Sequence, residues 1–88
     1  MGNEEILKEV KDLLMISDDS VDRPLMLRML AVRDYMKNAG VSEAVLQSYS
    51  GVLALSIGVN DTWNAPPGEA KFSPGFLNMA TQLQAKSM

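Results

Sequence analysis

Eighty-eight residues, 47% apolar and 22% charged, describe one folded domain, too apolar for a disordered chain and too short for two cores. The chain has no Cys and no His, which removes disulfides, thiol chemistry, zinc fingers and imidazole bases together. Eight Lys/Arg against eleven Asp/Glu leave −3 at pH 7, a poor balance for holding a phosphate backbone.

In chain order, the first expected helix runs from Asn3 to Met15. Ile6, Leu7, Val10, Leu13 and Leu14 fill one arc of it, and Glu4, Glu5, Lys8, Glu9, Lys11 and Asp12 the rest. Asn3 is the expected N-cap, with Glu4–Lys8 and Lys8–Asp12 as i,i+4 pairs. A connection rich in capping residues, Ile16 to Asp22, follows. The acidic cluster at Asp18 is not a calcium loop, because Arg23 and Met29 stand where that loop needs Gly and Glu.

Pro24 is tolerated only in the first turn of a helix, so the second helix starts near Asp22 and runs to about Asn38, stopped by Gly40. Leu25, Met29, Val32 and Met36 form one stripe, which Met26 and Leu30 widen. Leu27, Ala31 and Tyr35 lie on another side, so this helix needs more than one neighbour. Ser42 caps a third helix from Glu43 to Asp61 or Trp63. Leu46, Tyr49, Val52, Leu53, Ile57 and Trp63 cover its broad arc, and Gly51, Ala54 and Gly58 make a small-residue stripe that close approach by another helix would explain.

Asn64 to Glu69 is a turn signal, Glu69 to Ser73 reads as extended, and Ser73-Pro74 opens a short last helix to about Ala85. The fold expected is therefore all-α: a single domain over 1–88, three main helices plus a short C-terminal one, with an extended loop before the last. The polar, acidic N-terminus is no secretion signal. The longest charge-free run, the 17 residues from Ala44 to Asn60, is too short and too polar to span a bilayer, so a soluble intracellular protein is expected.

Two functional readings compete. The turn Lys37 to Ser42 between helices, with Gly40, Val41, Leu46 and Tyr49, is that of a helix-turn-helix DNA-binding regulator. Yet the helix after the turn opens with Glu43 and carries no Lys or Arg to meet bases or phosphates. The other reading is association. Trp63, Pro66, Pro67, Phe72, Pro74 and Phe76 gather large rigid side chains in one stretch, which either forms an interface or closes a small core. Residues Ala70–Phe72 are also suited to strand pairing with a neighbour. Arg33, at the edge of the apolar stripe, either pairs with another subunit or lays its stem over the core with its head in water.

The order of elements carries a family likeness. It runs from Glu9-Val-Lys-Asp-Leu-Leu14 through the Asp-rich link to Asp34-Tyr-Met-Lys-Asn-Ala-Gly-Val41. Gly51-Val-Leu-Ala-Leu-Ser-Ile-Gly-Val59, Asp61-Thr-Trp-Asn64 and Pro67-Gly-Glu-Ala-Lys-Phe-Ser-Pro74 complete it. Together these resemble the small head–tail connector, or head-completion adaptor, proteins of tailed bacteriophages and prophages. The resemblance covers about Ile6 to Leu83 and is most specific at Asp61–Asn64 and Gly68–Pro74.

It implies a structural, non-enzymatic virion protein at the head–tail junction, assembled from the host cytoplasm. Such a protein forms a cyclic ring with itself, contacts the portal protein and a tail-side completion protein, and lets DNA pass without sequence-specific binding. No cofactor, metal or membrane is implied. Subunit or portal contacts are expected at Trp63, Lys71, Phe72 and Phe76, with Arg33 beside them.

Overall fold

A computed structural model describes residues 2–63 and 71–88. Five α-helices are seen: α1 (Asn3–Leu13), α2 (Asp22–Asn38), α3 (Glu43–Leu46), α4 (Tyr49–Trp63) and α5 (Pro74–Lys86). A 3₁₀ turn, Asp19–Val21, lies in the link between α1 and α2. The all-α expectation holds, and no strand is present among the described residues. The turn at Asn64–Glu69, and the part of the extended reading up to Ala70, lie outside those residues. Lys71–Ser73 has no regular structure.

α1 buries Ile6, Leu7 and Val10, as its periodicity requires. Its ends differ from expectation. Gly2, not Asn3, occupies the N-cap and makes no side-chain bond there. Asn3 turns its side-chain oxygen to Arg33 instead. At the other end the helix stops at Leu13, closed by Ile16 N–H to the Lys11 carbonyl (2.8 Å) and Met15 N–H to the Asp12 carbonyl (3.2 Å). This paired closure places Met15 in the left-handed region, φ 58°. The two i,i+4 pairs expected on α1 are not among the ion pairs formed. Lys11 instead reaches Asp19 (2.8 Å) in the link and Asp22 (2.7 Å) at the start of α2.

α2 has the bounds that Pro24 and Gly40 dictate. Val41 N–H bonds the Met36 carbonyl, Gly40 N–H bonds that of Lys37, and Gly40 carries φ 99° where other residues would be strained. Leu25, Met29, Val32 and Met36 are all buried. Ser42 caps the next helix through Val45 N–H, as expected, but that helix is one turn long. The chain breaks at Gln47-Ser48. There the Ser48 hydroxyl donates to the Val45 carbonyl (2.6 Å) and accepts from Gly51 N–H (3.2 Å), serving as cap for α4.

α4 is the centre of the molecule and packs against α1, α2, α3 and α5. The face it buries is the small-residue one: Gly51, Ala54, Leu55, Ser56, Gly58 and Val59, with Val52 beside them. Gly58 admits the Phe76 ring and Val32, and Gly51 admits the backbone of Val45 and Leu46. Ser56 meets its hydroxyl's needs internally, donating to the Val52 carbonyl at 2.9 Å. The broad arc expected to be buried is split: Leu46 and Val52 are inside, while Tyr49 and Leu53 face solvent.

α5 is opened by Ser73, whose hydroxyl accepts from Phe76 N–H, with Pro74 in the first turn. Phe76, Ala80 and Leu83 enter the core. No helix among the described residues is long and apolar enough to cross a membrane.

Candidate interaction surface

The five residues expected at an interface fall into three situations. Arg33 is used within the chain: its guanidinium donates to Asn3 Oδ1 (2.8 Å) and is paired with Glu43. It thereby ties the start of α1 to α2 and α3.

Trp63 is half-buried at the end of α4, with the Arg28 guanidinium 5.9 Å from its ring centroid. Arg28 also donates to the Thr62 carbonyl, so a cation closes the C-terminal end of α4, where the helix dipole is negative.

Phe76 is fully buried, and Phe72 stacks on it with centroids 4.3 Å apart and planes at 27°. Tyr35 leans on both rings, at 4.8 Å and 6.0 Å. Of the two readings of this stretch, closure of the core describes Phe76. Phe72 is half-buried and Lys71 exposed, and both stand at the foot of α5.

Surface that a partner can reach lies elsewhere. On α2, Leu27 is 58% exposed and Leu30 39%, with exposed Ala31 on the other side of Leu27 in helical projection. On α4, Tyr49 is 88% exposed and Leu53, one turn on, 43%. Leu13 of α1 is 49% exposed. Leu27 and Ala31 were legible in sequence as part of a second apolar side; Leu30, expected to widen the first stripe, is exposed beside them, and Tyr35 of that second side packs on Phe72 and Phe76. The α4 row was not legible, because the break at Gln47-Ser48 rotates everything after it.

Charge around these rows is uneven. α2 holds four of the eight basic residues, Arg23, Arg28, Arg33 and Lys37, against Asp22 and Asp34. α1 carries Glu4, Glu5, Glu9 and Asp12 against Lys8 and Lys11, and α3 and α4 carry only Glu43 and Asp61. An open groove beside α1 is lined by Leu7, Lys8, Asp12 and Ile16 among others, and Lys11 with its two aspartate partners forms part of its wall. Among the described residues no group of His, Cys, Asp or Glu is arranged to hold a metal ion.

Comparison with protein-family models, with curated proteins and with solved structures finds no match.

Proposed function

We propose that this chain is a structural subunit that acts by associating with copies of itself and docking to neighbours: a ring-forming head–tail adaptor between portal and tail. DNA passes through its channel unread. The observation that carries the reading is α2, apolar on two sides in a molecule that covers only one of them. Leu25, Met29, Val32 and Met36 are buried, while Leu27, Leu30 and Ala31 remain in water. Rows of large apolar side chains of this kind mark association surfaces. An acidic subunit suits a wall along which DNA must slide.

The helix-turn-helix reading draws less support. The helix after the turn, α3, has four residues, too few to lie along a groove, and its one charge is Glu43. α4 adds no basic residue.

The test is native mass across a concentration series in moderate salt. A closed cyclic species with nothing larger beyond it supports the adaptor. A stable dimer that binds duplex DNA overturns it in favour of the regulator. A monomer at every concentration removes autonomous ring formation, and ring formation on added portal protein then decides.

A further inference from the structure

We draw no further inference here: the strongest candidate, the exposed apolar row of Leu27, Leu30 and Ala31 on the outward side of α2, is bordered by charges of both signs at Asp22, Arg23, Asp34, Lys37 and Glu43 that select no one occupant, and nothing in the structure shows what covers it.

Discussion

A Cβ on Gly58 would stand 2.6 Å from the edge of the Phe76 ring, so the ring occupies space that only a residue without a side chain leaves. The same hypothetical atom lies 2.7 Å from Val32, which makes Gly58 the point where α2, α4 and α5 converge. Phe76 is thereby held under Phe72 and Tyr35 with no exposed surface.

Gly58→Ala forces the ring and Val32 apart. Overpacking of this kind costs about 1–3 kcal/mol, against about 1 kcal/mol gained in helix propensity. Gly51→Ala is worse, because its Cβ would meet the Val45 carbonyl oxygen at 2.1 Å, and that backbone cannot swing aside. Urea unfolding is expected to rank wild type above Gly58→Ala and Gly58→Ala above Gly51→Ala.

Met15 is a side-chain-bearing residue in the left-handed region and is 91% exposed, so it contributes strain and little packing. Met15→Gly is expected to raise stability by about 0.5–1 kcal/mol, the relieved strain exceeding the added freedom of the unfolded chain. Met15→Ala keeps the Cβ and brings no such gain. Thermal unfolding of the two variants side by side makes the comparison.

Acid and alkali act on different ties. Hydrogen bonds from the Ser20 backbone N–H and hydroxyl hold the Asp18 carboxyl below its ordinary range. Gln47, with Arg33 and Lys37, does the same for Glu43. Bonds to Asp19 and Asp22 raise Lys11. A lowered carboxyl stabilises the fold above its unfolded pKa, and that contribution is lost as pH falls through its folded value. A raised amine stabilises below its unfolded pKa and loses this as pH climbs through its folded value. Stability is therefore expected to be level at neutral pH, to fall below about pH 4 and to fall again above about pH 10. Glu43→Gln is expected to make the acid limb shallower in a denaturation series.

Arg33→Ala separates structural from associative roles. It removes the tie from Asn3 to Glu43, an exposed pairing on its carboxylate side, and is expected to lower stability only slightly, read as a small shift of the urea midpoint. Native mass at a given concentration is expected to stay as in wild type.

The bounds of α2 and the caps at Ser42 and Ser73 were legible in the sequence because each rests on local chemistry: proline at a helix start, glycine at a left-handed stop, a hydroxyl facing a free N–H. The break at Gln47-Ser48 was not. α4 is apolar nearly all the way round, so periodicity gave no direction, and Ser48 three residues before Gly51 was the one local mark of a new helix start. Without the break, Tyr49 and Leu53 belong to the buried arc; with it, they point to water and the glycines turn inward. Leu27 and Ala31 were legible as a second apolar side of α2; the exposure of Leu30 was not, because it lies next to Met26 at the edge of the buried stripe. The core role of Phe76 was open, because no local rule tells an aromatic that closes a core from one that meets a partner.

α5 is fastened at both ends, twice over at the first. Asp61 accepts from the Ser73 N–H (2.9 Å) and hydroxyl (2.8 Å), Phe76 fills the slot over Gly58, and Ser42 N–H donates to the Ser87 hydroxyl at 2.8 Å. None of these attachments requires the peptide chain to be continuous between Trp63 and Lys71. A single cut there is expected to leave two pieces that still recognise one another, which co-elution of the cut protein on gel filtration checks, and the shorter could then be made synthetically, labelled and returned to its place.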